Sequence, residues 1–108
     1  MATTYLSPQQ LKDFAQRVDE VAKKFPKEVV RIRHSFSRDW DGDPAIYFRV
    51  VVTDEARRKV PLAELTGKIE GALIKDLELF TSEYSAYIPY FNFRTKAEQD
   101  EVNSPEWE

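Results

Sequence analysis

The chain has 108 residues, with 16 Lys and Arg against 19 Asp and Glu, one His, no Cys and 13% aromatic residues. A length of this order makes one domain with a single core, and the missing cysteines exclude a disulfide scaffold, a thiolate zinc site, an iron–sulfur cluster and a cysteine nucleophile. The net charge of −3 argues against a dedicated duplex-DNA binder, the lack of thiols fits a cytoplasmic setting, and apolar runs such as Val50-Val51-Val52 are far shorter than the roughly 20 residues a membrane helix needs.

The N-terminus, Met1 to Pro8, carries neither a charged head nor an apolar stretch, so it does not read as a signal peptide. Ser7 is placed to cap a first helix, with Pro8 at its first position and Gln10 reaching back to the cap. Leu11, Phe14, Val18, Val21, Ala22 and Phe25 follow at helical spacing, and Pro26 stops the helix. From Val29 the period changes to two. Val30, Ile32, His34 and Phe36 share one face of a strand, and Arg31, Arg33, Ser35 and Ser37 share the other.

Arg38 to Pro44 is a turn, and a second strand follows with Ile46, Phe48, Val50 and Val52 alternating with Tyr47, Arg49 and Val51. Asp54 to Val60 reads as an irregular charged stretch with at most one turn of helix. Pro61 opens a second helix with Leu62, Leu65, Ile69, Ala72, Leu73 and Leu77 on its apolar stripe. Tyr87 to Thr95 is the third strand, with Pro89 suiting an edge position. Lys96 to Glu108 holds five acidic residues and is expected to begin as a short helix and fray at its end.

The predicted architecture is therefore α+β, a two-layer sandwich in the order α-β-β-α-β. Two helices cover one face of a three-stranded mixed sheet, the first two strands antiparallel and the last parallel to the second. Residues 1–95 form the domain and 96–108 an acidic tail. The helix-covered face would collect Val30, Ile32, Phe36, Ile46, Phe48, Val50, Val52, Phe91 and Phe93. The opposite face would collect Arg31, Arg33, Tyr47, Arg49, Tyr90, Asn92 and Arg94.

That opposite face is the leading candidate for function, together with Trp40 at the hairpin tip. Charge is divided along the chain: residues 1–60 carry 12 basic and 9 acidic groups (+3), and residues 61–108 carry 4 and 10 (−6). Guanidinium planes and aromatic rings on one sheet surface suit single-stranded RNA, while an exposed Trp is a common anchor at protein interfaces. The plainer reading is a solvated face on which arginine stems cover tyrosine rings and their heads pair with carboxylates.

Asp39, Asp41 and Asp43 offer oxygens to a divalent cation. The loop departs from a calcium-binding EF-hand, which requires Gly at position 44 and Glu at position 50, where this chain has Pro and Val. A polar hairpin turn is the plainer reading here too. His34 falls on the core-facing parity of its strand, away from Ser35, so the two cannot act as a nucleophile and its base. With glycine only at positions 42, 67 and 71 there is no phosphate-cradling loop, and no cofactor is implied.

Over about residues 8–95 the order of elements resembles the minimal nucleotidyltransferase family. In that family a Gly-Ser pair after the first strand holds nucleotide phosphates, and two Asp on the second strand bind metals. Aligning the strands by their apolar ends places His34-Ser35-Phe36-Ser37 in the Gly-Ser region and Tyr47 and Arg49 at the two metal positions. The resemblance thus implies a scaffold whose activity is lost, because Arg49 reverses the charge that Mg²⁺ requires. Retained metal-dependent nucleotidyl transfer would have to use Asp39, Asp41 or Asp43 in a shifted register. Members of this size partner small helical ribonuclease toxins in bacterial operons, so the resemblance also implies an antitoxin-like, non-enzymatic role. The expected partner is another protein or a second copy, with single-stranded RNA or a nucleotide as the alternative ligand.

Overall fold

The computed structural model describes residues 6–108; residues 1–5, which hold most of the N-terminal stretch read as leaderless, lie outside the described residues. Helix α1 (Pro8–Lys23) begins as its sequence dictates. The Ser7 hydroxyl accepts from the Gln10 amide, and the Gln10 side chain accepts from the Ser7 amide at 2.8 Å. It ends two residues before Phe25, whose amide donates to the Ala22 carbonyl and whose ring turns into the core just ahead of Pro26.

Strands β1 (Val29–Arg38) and β2 (Pro44–Val52) form an antiparallel hairpin, and β3 (Ile88–Thr95) adds parallel to β2, giving the order β1-β2-β3. Helix α3 (Leu62–Asp76) makes the crossover between β2 and β3 and packs with α1 against one sheet face. The predicted α+β sandwich is therefore the observed one. Phe14, Val18 and Val21 from α1 meet Ile46, Phe48 and Val50 from the sheet and Leu65, Ile69 and Leu73 from α3. Phe14 is the centre of this core, with the rings of His34, Phe36, Phe48 and Tyr84 at 5.1, 5.0, 6.1 and 4.7 Å.

Three local features differ from expectation. Val30 lies outside the core, because the register slips between Val29 and Arg31: Val29 faces Val52 and Arg31 faces Val51. This bulge inserts one residue into β1. Val29 is 7% exposed within the core and Val30 is left 39% exposed. The stretch after β2 is a formed helix, α2 (Asp54–Lys59), capped by Thr53, with acids in its first turn and bases in its last.

The third difference is the tail. A capping box between Thr95 and Glu98 starts helix α4 (Lys96–Val102), and Asn103 ends it in the left-handed region at φ 54°. Instead of trailing away, residues 104–108 return across the sheet through a single 3₁₀ turn, and Trp107 is only 6% exposed. A lone aromatic in an acidic segment reads as a solvated end, but here it finds apolar surface on the sheet.

Candidate functional site

The bulge restores alternation from Arg31 onward, so the sheet face opposite α1 and α3 carries three cross-strand rows. Ser35, Tyr47 and Tyr90 form the first; Arg33, Arg49 and Asn92 the second; Arg31, Val51 and Arg94 the third. All seven residues expected on this face are on it, and the structure divides them into an open half and a closed half.

The open half is a stack. Tyr47 and Tyr90 lie nearly parallel, with centroids 5.2 Å apart and 17° between planes. Trp40 lies tilted against Tyr90, with centroids 5.8 Å apart and 56° between planes, and the Arg49 guanidinium lies 6.0 Å from the Tyr47 centroid. Arg49 also donates to the Ser35 hydroxyl at 2.9 Å, which fixes its head beside the ring. Trp40 itself is 80% exposed. Asn92 is exposed on the neighbouring row.

Asp39 builds the turn that presents Trp40. Its Oδ1 accepts from the Asp41 and Asp43 amides, both at 3.0 Å, and its Oδ2 accepts from the Tyr90 hydroxyl at 2.9 Å. Gly42 closes the turn at φ 84°, a conformation that favours glycine. Burial raises the Asp39 carboxyl, but the donated hydrogen bonds from Asp43, Tyr90 and Asp41 outweigh it and hold its pKa below the ordinary value. The same contact acts oppositely on its partner: the hydrogen bond to Asp39, with burial and the nearby charge, pushes the Tyr90 phenol up to about 12.

Oxygens of Asp39, Asp41 and Asp43 come within 4.8 Å of one another, so the trio is close enough to hold a cation. Both Asp39 oxygens are already committed to three donors, however, and that donor set fits a hairpin organiser better than a metal ligand.

The closed half lies under the tail. Trp107 packs its indole against Arg94, with the guanidinium 4.2 Å from the ring centroid. Arg31 donates to the Trp107 carbonyl at 3.3 Å and lies 3.9 Å from the Glu108 carboxylate. Arg33 donates to a main-chain oxygen of Glu108 at 2.9 Å. Gln99 on α4 ties the strap down: its amide nitrogen donates to the Ser104 carbonyl and the Glu108 carboxylate, and its oxygen accepts from Arg94. Arg94 also donates to the Ser104 hydroxyl. Sequence reasoning marks the sheet arginines, and marks the acidic tail with Trp107 as a candidate contact, but misses Gln99, because nothing in a 13-residue acidic tail states where it folds back or what holds it down.

His34 stands on the helix-covered face, edge-on to Phe14 and Phe36. Burial pushes its pKa down, with Asp19 opposing and Arg33 adding to the shift. Tyr47 and Arg49, at the positions that the nucleotidyltransferase resemblance assigns to metal carboxylates, are the middle of the aromatic stack. Among the described residues no helix is long and apolar enough to cross a membrane. Comparison with known proteins returns no match, whether to a family model, a curated protein or a solved structure.

Proposed function

We propose that this is a non-enzymatic binding protein of the cytoplasm, the small partner of another protein, which docks through the Trp40–Tyr90–Tyr47–Arg49 stack. The observation that carries the reading is Trp40, an indole 80% exposed yet propped on a tyrosine whose hydroxyl is fixed by Asp39. A large, preorganised aromatic at the tip of a rigid turn loses little freedom on binding, which is what makes such residues interface anchors. The partner on this reading offers an apolar pocket for the indole and an acceptor for Arg49.

The lone histidine is half-buried against Phe14 and Phe36 and Asp39 is taken up in the turn, so these two acid–base groups are committed to structure. The resemblance to degenerate nucleotidyltransferase-like partners suggests the kind of protein bound, the helical ribonuclease subunit of a bacterial two-protein system.

Co-expression of the chain with the product of its neighbouring gene, followed by co-purification, tests the reading. Capture should fall by at least about tenfold on Trp40→Ala and on the pair Tyr47→Ala and Arg49→Ala, the loss expected of an anchor worth about 2 kcal/mol. Unchanged capture by both variants overturns it. A second reading, single-stranded RNA on the same face, draws on the four arginines; it expects affinity for a short oligouridylate that weakens with salt and with Tyr90→Ala.

A further inference from the structure

Four guanidiniums crowd two adjacent rows of the sheet. Arg33 and Arg49 are direct cross-strand partners, and Arg31 and Arg94 flank Val51 on the next row, two residues or about 6.7 Å along the strands. Like charges placed opposite one another are destabilising unless an anion stands among them. Among the described residues, only the Glu108 carboxylate comes within ion-pair distance of any of the four, at 3.9 Å from Arg31. Arg33 meets a main-chain oxygen of Glu108, and Arg49 and Arg94 meet only uncharged oxygens, Ser35 for the first and Gln99 and Ser104 for the second. The patch is well supplied with hydrogen bonds and short of negative charge.

Its present occupant shows what chemistry it accepts. Glu106-Trp107-Glu108 is an aromatic residue flanked by acids. Its indole lies on Arg94, its main-chain oxygens are taken by Arg31 and Arg33, and one of its carboxylates faces Arg31. Glu106 is exposed and reaches none of the four arginines.

We infer that the Arg31, Arg33 and Arg94 surface is a docking site for an acidic, aromatic-bearing peptide segment of a partner protein, and that residues 104–108 occupy it in cis as a displaceable stand-in. This rests on the reading that the face engages a protein. An incoming segment with a carboxylate in reach of Arg49 supplies charge where the strap offers none. Displacement of the strap also gives the partner one continuous surface from Trp40 to Arg94. Nucleic acid fits less well, because Asp41 and Asp43 at one end of the face and Glu98, Asp100 and Glu101 on α4 at the other oppose an extended polyanion, whereas a short peptide needs only the patch between them.

The test uses the full chain and a fluorescein-labelled peptide with the sequence of residues 104–108, read by anisotropy. A tethered occupant lowers apparent affinity by the fraction of time it leaves the site free. The strap-weakened variant carrying Trp107→Ala and Glu108→Gln should therefore bind at least about tenfold more tightly than the unaltered chain. Adding Arg31→Gln and Arg33→Gln should abolish that binding, and a peptide with Gln for Glu should bind at least about tenfold more weakly. Equal affinity of the first two chains overturns the inference, and so does tighter binding of a short oligouridylate than of the peptide.

Should the strap-weakened variant fail to fold, Trp40→Phe leaves Trp107 as the sole indole of an otherwise intact chain. Titration with Ser-Pro-Glu-Phe-Glu should then shift its emission to the red, and an unmoved spectrum overturns displacement. Partner capture that still depends on Trp40 while the peptide tests fail overturns this inference alone; loss of both removes the parent reading as well.

Discussion

Tyr90 donates its phenolic proton to Asp39 at 2.9 Å, joining β3 to a hairpin 51 residues earlier in the chain. The contact sets both titrations. Asp39 lies below its ordinary 3.8, so its contribution to stability is fully present above that value and is lost as the pH falls through its folded pKa. Tyr90 is raised to about 12, so its contribution is fully present below the ordinary 10 and is lost as the pH rises through about 12. In an alkaline titration followed by phenolate absorbance, the latest tyrosine step should disappear in Tyr90→Phe. It should move back towards 10 in Asp39→Asn, which keeps the turn's amide acceptor and removes the charge.

His34 gives a pH dependence near neutrality. Its folded pKa lies below 6.5, so between that folded value and 6.5 the unfolded chain binds more protons. Stability is therefore full above pH 6.5 and declines as the pH falls towards the folded value. Chemical denaturation of the parent and His34→Gln at about pH 7.5 and about pH 5.5 isolates the effect. The parent should lose more stability than the variant across that interval; equal losses would mean that packing against Phe14 and Phe36 does not desolvate His34.

The bulge at the start of β1 separates two neighbouring valines. Val29→Ala removes buried apolar surface from a residue 7% exposed and should cost about 1 to 3 kcal/mol, while Val30→Ala, at 39% exposure, should stay within about 0.5 kcal/mol. Urea denaturation of the two variants reads the difference. A strand without the bulge would reverse the order.

That pair also marks where the fold is legible in the sequence. Ile32, Ile46, Phe48 and Val50 declare their face by alternation, and Leu65, Ile69 and Leu73 by helical spacing, because each lies within a regular element. Val29 and Val30 are both β-branched and apolar, and only the register with Val51 and Val52 decides which one enters the core. The candidate face follows the same division. Tyr47, Arg49 and Tyr90 come together by strand parity alone. The roles of Asp39 and Trp107 depend on side chains meeting across 51 residues in one case and 13 in the other, and no local pattern encodes that.

Gly42 stands at φ 84° in the turn that carries Trp40, with open space around the position a Cβ would take. Replacement by Ala therefore introduces no clash, and the cost is backbone conformation, of the order of 1 kcal/mol. Thermal denaturation of Gly42→Ala should show this modest loss. Partner capture should fall further than stability does, because the turn that re-forms no longer holds Trp40 against Tyr90. Full capture would mean that the indole needs no preorganised turn.

Gln99 is the polar hub beneath the strap, with no exposed surface and three partners: Arg94, the Ser104 carbonyl and the Glu108 carboxylate. Gln99→Leu keeps the volume and removes every one of these contacts. Arg94 retains Ser104 as an acceptor, but the Ser104 carbonyl and the Glu108 carboxylate lose their donor on the α4 side. Leaving such groups partly unsatisfied costs about 1 to 3 kcal/mol each when they stay buried, and less if water reaches them. The cheaper outcome is for the strap to lift, so the loss of global stability should be smaller than the sum of those penalties. Trp107 emission should move to the red at denaturant concentrations where the core signal of Phe14 and its neighbours, followed by amide exchange on α1, is still intact. A single transition shared by both probes would instead make the strap an inseparable part of the domain.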